Sequence, residues 1–379
     1  MKARQRVKIA MKGGIPDRVP VFPVITDMHY SHMYGAPLWL THVLPRLKAD
    51  LIEMAEREYG FDGFEFNLFG PHAPDKYEVA VLDNGDKILK RGGRPWLKLY
   101  EDNYPSEIEP REQPVFKDLA QVKKLTYMRA ENFKSGGFLS EFERLRKRFA
   151  DDAYIACCTA GFTMNGLVNL RGSDRAFVDL YDEPELVHAI FEHLTASAIE
   201  AAKAAVSAGA DGLYIGDAFA SCSVISPQIF KEFCLPYYQM FVKEIKPLGA
   251  DIYLHICGNA SPILELMADT GADAIEPLDP LGGVSVADAK KRVGSRVCLK
   301  GGVNTLSLLN STPEEVAEET KKVLSEGMAN GGFILGSGDD IPRFAKKENI
   351  KAMVETCHKL GKYSSRDTAA LDKSARSCT

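Results

Sequence analysis

The feature that most constrains how this chain can fold is a short unit, Gly-Ala-Asp, that stands directly before brief apolar runs. It begins at Gly209, Gly249 and Gly271, and a looser copy, Gly-Phe-Asp, begins at Gly60. Each copy follows a segment with helical periodicity, and glycine at the end of a helix supplies the left-handed conformation that terminates it. A short, uninterrupted apolar run is typical of a strand buried on both faces of a parallel sheet. The unit therefore predicts a helix followed by a parallel strand, several times over.

Eight such strands can be placed along the 379 residues. They are predicted at 19–24, 63–67, 154–160, 212–217, 252–257, 274–279, 297–303 and 333–336. Helix signals lie between them. The longest amphipathic run is 184–208, and residues 312–315 form a capping box with proline at the first helical position. Eight strands alternating with helices predict an α/β fold, the (β/α)8 or TIM barrel.

One stretch breaks this alternation. Residues 68–152 are too many for a loop, and Asn84-Gly85 between two alternating runs indicates a β-hairpin within them. We expect an insertion between the second and third strands that covers the barrel mouth, as a lid or as a structural cover. One barrel domain is expected over residues 1–363. The polar, aperiodic tail at 364–379 is expected to be disordered.

Composition argues against several other classes of protein. No apolar window approaches about 18 residues, so no membrane span is expected, and the basic start of the chain lacks the apolar core of a signal peptide. The net charge is −5 and the lysines and arginines are spread along the chain, which argues against nucleic-acid binding. Eight cysteines without a C-x-x-C pair do not indicate a disulfide framework, so a reduced, cytoplasmic protein is predicted.

Barrel enzymes carry their chemistry at the carboxyl ends of the strands. Several predicted strands end on, or are followed by, residues with reactive or polar side chains. These residues are Asp27, Glu65, Asn67, Asp217, His255, Cys257, Asp279, Asn304, Asp339 and Asp340.

The sharpest of these signals is His255-Ile256-Cys257. Residues two apart on a strand share a face, so both side chains are predicted to point into the barrel mouth. An imidazole and a thiolate suit zinc, and a carboxylate can complete the set. The best candidate for the third ligand is Asp339, because the glycine-rich turn before it lets the backbone come close. The alternatives are that His255 and Cys257 are core residues and that Asp339 and Asp340 cap a helix or lie in a solvated turn.

A substrate pocket is predicted from residues that follow the first and third strands. Its apolar candidates are Met28, Tyr30, Phe162 and Met164, and Asp27 and His29 belong to the same stretch as the first two. Ordinary packing of these loops is the alternative.

Motifs along most of the chain occur in an order that resembles a known family. They are Arg4-x-Arg6-Val7-x-x-Ala10-x-x-Gly13, Asp17-Arg18-Val19-Pro20-Val21, Leu170-Arg171-Gly172, Asp182-Glu183-Pro184-Glu185, Gly209-Ala210-Asp211 with Asp217, His255-Ile256-Cys257-Gly258-Asn259, Gly271-Ala272-Asp273 and Gly336-Ser337-Gly338-Asp339-Asp340-Ile341-Pro342. Over about residues 4–363 this pattern resembles the uroporphyrinogen decarboxylase superfamily, and within it the cobalamin-dependent methyltransferase branch.

The resemblance implies a zinc site made of His-x-Cys and a distant cysteine. His255 and Cys257 match it, but Asp339 stands where that cysteine would be. A His/Cys/carboxylate set leaves more positive charge on zinc, which then prefers an oxygen ligand to a thiol. The difference favours an enzyme that demethylates an ether. The decarboxylases of the superfamily carry an Arg-Gln-Ala-Gly-Arg run after the first strand. Residues 24–29 contain no arginine here, which argues against decarboxylation.

The resemblance thus predicts a zinc-dependent methyltransferase that moves a methyl group from a methoxylated, aromatic substrate to the Co(I) corrinoid of a partner protein. The chain has no cobalamin-binding D-x-H-x-x-G motif, so the corrinoid is expected to come with that partner. Asp217 is a candidate fourth zinc ligand or substrate hydrogen-bond acceptor. Candidates to orient the substrate or supply a proton are Glu65, Asn67 and Asp340. The alternatives are methyl transfer from a methyl-corrinoid to a thiol or a folate, and a decarboxylase; a homodimer is left open.

Overall fold

The computed structural model describes residues 1–68, 77–100, 105–107, 118–159 and 161–364. Its strands are β1 (Gly63–Phe66), β2 (Tyr77–Val81), β3 (Lys87–Arg91), β4 (Arg94–Leu99), β5 (Ser106–Glu107), β6 (Tyr154–Thr159), β7 (Gly212–Gly216), β8 (Asp251–His255), β9 (Ala274–Leu278), β10 (Cys298–Val303) and β11 (Phe333–Ser337). From residue 365 on, the tail predicted to be disordered lies outside the described residues.

The helices connect these strands. They are α1 (Ala3–Met11), α2 (Asp27–Tyr34), α3 (Leu38–Val43), α4 (Pro45–Tyr59), α5 (Leu119–Val122), α6 (Ala130–Ser135), α7 (Ser140–Phe149), α8 (Met164–Arg171), α9 (Ser173–Asp182), α10 (Pro184–Ser207), α11 (Pro227–Ile229), α12 (Leu235–Ile245), α13 (Leu264–Asp269), α14 (Val286–Val293), α15 (Thr305–Asn310), α16 (Pro313–Gly327) and α17 (Lys347–Leu360). A π-helical turn, Phe230–Cys234, joins α11 to α12. None of the helices within the described ranges has the length and apolar character needed to cross a membrane.

Seven of these strands, β1 and β6 to β11, form one curled parallel sheet in chain order. Each strand pairs with the next one along the chain, and helices fill the crossovers. This arrangement confirms the predicted α/β barrel class. Because the strands run parallel and in register, as where Gly216 lies opposite His255, their carboxyl ends meet at one end of the barrel.

The first predicted strand, at 19–24, closes the sheet without forming a regular ladder. Val21 bridges Leu335 of β11 in parallel on one side, and on the other its carbonyl accepts a hydrogen bond from Asp62 N, 2.7 Å away. Pro20 and Pro23 lack the N–H groups that a regular ladder would use, so this segment pairs only at scattered points. This first predicted strand is therefore an extended closing segment, and it stands in the place of an eighth barrel strand.

The aspartate of the recurring unit is a buried anchor between neighbouring strands. In three copies its carboxylate accepts a hydrogen bond from a backbone N–H of the neighbouring segment, the one that precedes the unit's own strand in the sheet. These bonds run from Val21 N to Asp62 (2.8 Å), from Ile155 N to Asp211 (3.1 Å) and from Ile252 N to Asp273 (3.0 Å). The unit thus ends a helix, starts a strand and holds the adjacent strand.

The basic start of the chain covers the amino end of the barrel. Arg6 Nη1 donates to Asp62 at 2.6 Å, and Arg4 Nε donates to Asp211 at 2.7 Å. The apolar side of α1 is buried in one cluster with the barrel interior, which is filled mainly by aromatic rings. The members of this cluster are Val7, Ala10, Met11, Phe22, Tyr154, Ala156, Tyr253, Ala274, Cys298 and Ile334. Helix α1 therefore plugs the amino end of the barrel, so the candidate functional side chains lie at its carboxyl end.

The described part of residues 68–152 contains a small antiparallel sheet, β2-β3-β4-β5. β2 and β3 form the hairpin that Asn84-Gly85 indicates. The sheet packs on the helices that follow the closing segment: Leu89 and Leu97 share a buried cluster with Met28, Leu38 and Val43. The inserted sheet therefore lies beside α2 and α3, on the side of the barrel where the strands end.

Candidate metal centre at the barrel mouth

Three potential metal ligands converge at the carboxyl end of the barrel. His255 is the last residue of β8, Cys257 follows it by two residues, and Asp339 follows β11 by two. One ligand atom from each lies within 4.8 Å of the others, and among the described residues this is the one group of three or more such side chains. His255 is 5% exposed, whereas the side chain of Asp339 is 35% exposed. The cluster is thus closed toward the barrel interior and open toward the mouth.

The turn before Asp339 explains how the carboxylate reaches the cluster. Gly338 N donates to Val303 O at 2.6 Å, and a Cβ on Gly338 would lie 2.6 Å from Pro280 Cδ. Only glycine fits so close to the loop after β9. Asp340 N in turn donates to Asp339 Oδ1 at 2.8 Å, which holds the carboxylate.

This donor set fits a catalytic zinc ion. Imidazole nitrogen, thiolate sulfur and carboxylate oxygen are all zinc ligands, and three protein ligands leave a fourth position for a substrate or water. The cluster also attracts positive charge. Burial alone would disfavour the charged imidazole, but the hydrogen bonds with Cys257 and Glu276 outweigh it and raise the pKa of His255 well above its usual range.

Behind His255 lies a pair of buried charges that the sequence analysis did not single out. His255 Nδ1 is 3.1 Å from Glu276 Oε1, and Lys300 Nζ contacts Glu276 Oε2. Glu276 and Lys300 are each 1% exposed. A signal was available, since both interrupt apolar runs that read as buried strands, where an unpaired charge would be costly.

Glu65, at β1, lies next to this pair. Its Oε1 accepts a hydrogen bond from Tyr253 OH at 2.9 Å and lies 3.8 Å from Lys300 Nζ. Burial raises the pKa of Glu65 to about 7, against the opposing effect of Lys300 and with a further rise from Glu276. Asn67 is half-buried just after the same strand. Both predicted residues are therefore on the side of the barrel where β1 ends.

The side chain of Asp217 is buried and accepts hydrogen bonds from neighbouring residues. Its Oδ2 accepts hydrogen bonds from Thr163 N, Thr163 Oγ1 and Tyr238 OH at 3.1, 2.6 and 3.0 Å, and its Oδ1 accepts one from Asn165 N at 2.7 Å. The carboxylate thereby caps the start of α8. These four hydrogen bonds favour a structural role for Asp217, and its role as a fourth ligand or substrate contact stays a prediction.

Asp340 ties the last loop to the closing segment. Its Oδ2 accepts a hydrogen bond from Thr26 Oγ1 at 2.7 Å, and the residue is 9% exposed. Burial raises its pKa well above the usual range, and Asp339, Glu65 and Asp27 add to the rise while Thr26 opposes it. Asp340 thus supports the ligand-bearing turn.

The first four residues predicted to line the substrate pocket are buried. Asp27, Met28, His29 and Tyr30 lie on α2 and are 6%, 4%, 1% and 2% exposed, so the expected loop is a packed helix. Asp27 Oδ1 is 2.6 Å from Lys48 Nζ.

His29 is likewise held by its neighbours: its Nε2 is 3.0 Å from Tyr59 OH and its Nδ1 is 3.3 Å from Pro342 O. It therefore links α2 to α4 and to the loop after β11.

Phe162 and Met164 are also core residues. They are 2% and 0% exposed, and Phe162 stacks on Phe241 with ring centroids 5.1 Å apart and meets Tyr238 edge-on at 5.5 Å. These contacts join the segment just before α8 to α12. This burial favours the packing alternative for these two residues, and their role as an apolar pocket wall stays a prediction.

Comparison with known proteins places this geometry in context. A family model described as Uroporphyrinogen decarboxylase (URO-D) matches residues 103–360. Methylcobamide:CoM methyltransferase MtbA of Methanosarcina acetivorans is 30% identical over 251 residues, which are 66% of this chain and 70% of the relative. Uroporphyrinogen decarboxylase of Psychromonas ingrahamii is 33% identical over 196 residues, 50% of this chain and 54% of the relative.

Among solved structures, a methyltransferase from Methanosarcina mazei has a TM-score of 0.75 at 24% identity. The superposition covers 95% of this chain and 99% of that one. This similarity supports the barrel fold of the chain.

Proposed function

The chain belongs to the uroporphyrinogen decarboxylase family, and from this premise we propose that it is a zinc-dependent methyltransferase that transfers a methyl group from a methoxylated, aromatic compound to the Co(I) corrinoid of a partner protein. The observation that carries the proposal is the convergence of His255, Cys257 and Asp339 within 4.8 Å at the barrel mouth. The third ligand is a carboxylate, which suits an oxygen substrate better than a second thiolate would.

The reaction would balance as follows. The methyl C–O bond breaks and its electron pair stays on oxygen, while the electron pair of cobalt(I) forms the new bond to carbon. The phenolate takes up a proton. Zinc held by the three ligands would supply Lewis acidity toward the ether oxygen and so improve the leaving group.

The chain's own residues would position the substrate and handle that proton. Glu65 is the candidate acid, since its pKa of about 7 lets it hold a proton at neutral pH and its side chain is 17% exposed. Tyr253 holds the carboxyl by donating to it. Asn67 is the candidate to orient the substrate. Asp340 acts indirectly, by holding the turn that presents Asp339.

A second candidate is supported by the name of the methyltransferase relative, which pairs a methylcobamide with coenzyme M. The chain would then transfer methyl from a methyl-corrinoid to a thiol. The carboxylate of Asp339 argues against it, because a thiol substrate favours a softer, thiolate-rich zinc. Decarboxylation is disfavoured because residues 24–29 contain no arginine. The charged residue in this stretch is Asp27, which is paired with Lys48.

The test follows the cobalt spectrum during turnover. The purified protein is mixed with a reduced corrinoid carrier protein and a panel of methoxyarenes, and in parallel with methyl-corrinoid and a thiol. We expect loss of the Co(I) band and formation of methyl-cobalt, together with the phenol, only in the first assay. Activity confined to the second assay would replace the proposal with the second candidate.

A further inference from the structure

We infer that Lys300 is a positioning residue for the metal centre: through Glu276 it sets the imidazole of His255 so that Nε2 faces Cys257 and Asp339. This inference rests on the proposed zinc site. Neither Lys300 nor Glu276 is near enough to the mouth to touch the substrate, because both are 1% exposed. Their effect would pass through the imidazole.

The surroundings of Lys300 leave its ammonium one main partner. Lys300 Nζ contacts Glu276 Oε2 and lies 3.8 Å from Glu65 Oε1. The remaining neighbours are aromatic faces: the ring centroids of Phe22 and Tyr253 lie 4.3 and 5.2 Å from Nζ. A buried ammonium is costly unless it is paired, and cation–π contacts offset part of that cost. The two aromatic rings therefore help to hold the ammonium group of Lys300 against Glu276.

Glu276 uses its two oxygens on two different partners. Oε2 faces Lys300, and Oε1 lies 3.1 Å from His255 Nδ1. If Nδ1 carries the imidazole hydrogen and donates a hydrogen bond to Glu276, Nε2 keeps a lone pair. Nε2 is the nitrogen that lies 3.6 Å from Asp339 Oδ1. A carboxylate behind a metal-binding histidine fixes both the tautomer and the ring orientation.

Lys300 also balances the charge of the site. A zinc ion with one thiolate and one carboxylate is neutral overall, and Glu276 by itself would add one negative charge behind His255. Lys300 cancels that charge. Glu276 can then orient the imidazole without weakening the ability of the metal to polarise an oxygen ligand.

The test uses metal binding and does not depend on turnover. Lys300→Met keeps the length of the side chain and removes the charge. The buried carboxylate then lacks its counter-charge, which is costly inside the barrel, and no longer holds His255 in its orientation. We expect the affinity for Co²⁺, measured against a competing chelator, to fall about 10- to 100-fold, and the visible Co²⁺ spectrum to change.

Two further variants separate this role from a general effect on folding. Lys300→Met combined with Glu276→Gln should bind Co²⁺ within about threefold of the wild type, because a glutamine oxygen can accept the Nδ1 hydrogen bond and needs no counter-charge. Lys290→Met removes a half-buried ammonium from α14, where Lys290 Nζ donates to Gly331 O, and should leave binding and spectrum unchanged.

Each outcome decides the question. Wild-type affinity and spectrum in Lys300→Met would overturn the inference, and so would a double variant as weak as the single one, because Lys300 would then act independently of Glu276. If the wild type and His255→Ala bind Co²⁺ equally, the metal centre itself is wrong and the inference falls with it. A wild type that binds Co²⁺ but transfers no methyl group would contradict the proposed reaction alone.

Discussion

His255 Nε2 lies 3.6 Å from Asp339 Oδ1, although β8 and β11 are separated in the sheet by β9 and β10. The two side chains meet because the barrel curls and because the loop after β11 crosses its mouth. A metal ion bound by both residues would therefore link opposite parts of the barrel wall. Metal binding and the stability of the mouth should be coupled.

The first prediction concerns this coupling. Purified protein should hold about one zinc per chain, and zinc removal by a chelator should lower its melting temperature. His255→Ala and Cys257→Ala should lose the zinc and the chelator effect. Cys222→Ala is the matched control, since Cys222 is another half-buried cysteine in a mouth loop but is not in the cluster. Elemental analysis decides the matter: retention of zinc by both ligand variants would exclude this site.

The second prediction concerns the carboxylate ligand. Asp339→Ala should weaken zinc binding and abolish transfer from a methoxyarene. Asp339→Cys should keep the metal but lose several-fold or more in rate, because a thiolate neutralises more of the charge on zinc and leaves it less able to polarise an ether oxygen. Zinc content and the rate of methyl-cobalt formation are measured on the same preparations. An unchanged or faster rate in Asp339→Cys would show that the carboxylate does not select for oxygen.

The third prediction is a pH dependence. If Glu65 must be protonated to act, the demethylation rate should fall as the pH rises through about 7, where burial has placed the pKa of this residue. Glu65→Gln should lower the rate by about 10²- to 10⁴-fold and remove this limb of the profile. Glu265→Gln, at a half-buried glutamate of α13 that is paired with Arg292, serves as the control. If the rate of Glu65→Gln still falls as the pH rises across this range, another group is responsible for the pH dependence.

The fourth prediction concerns stability in acid. Burial lowers the pKa of His29 from 6.5 to about 4, so between these values the unfolded chain binds more protons than the folded one. Stability should therefore rise with pH across this window, and lowering the pH from 7 to 5 should cost about 2 kcal/mol through His29.

Urea unfolding at both pH values measures this difference. His29→Gln should reduce it by about that amount, whereas His32→Gln, at an exposed histidine of the same helix, should not. Equal pH dependence in the wild type and in His29→Gln would contradict the assignment.

The fifth prediction concerns the plug at the amino end. Arg4 pairs with Asp211, which is 1% exposed, and with Asp151, whose side chain is 66% exposed. Asp211→Asn removes a buried carboxylate from its half-buried basic partners, Arg146 among them, and should destabilise the fold by about 3–5 kcal/mol. Asp151→Asn changes an exposed, solvent-screened pair and should cost far less stability than Asp211→Asn. Similar losses from the two changes, measured by chemical unfolding, would show that burial does not govern the strength of these pairs.

The sequence by itself determined the barrel and the pairing of His255 with Cys257 in the candidate metal centre. The Gly-x-Asp units predict helix-to-strand connections because the left-handed glycine and the apolar run act over a few residues. His255 and Cys257 share a face because the alternation of a strand is equally local. Residues 19–24 were predicted as a regular strand, and Pro20 and Pro23 explain why they form only an extended closing segment.

Only the tertiary structure decided which polar residues meet. Asp217 and Asp339 follow strand ends in the same way, yet Asp217 caps α8 and Asp339 joins His255. Lys300 reaches Glu276 across two adjacent strands, inside a barrel whose closure sets the distance. Contacts of this kind depend on how the sheet curls and on where each loop crosses the mouth. Those are long-range properties of packing, and no local sequence period encodes them.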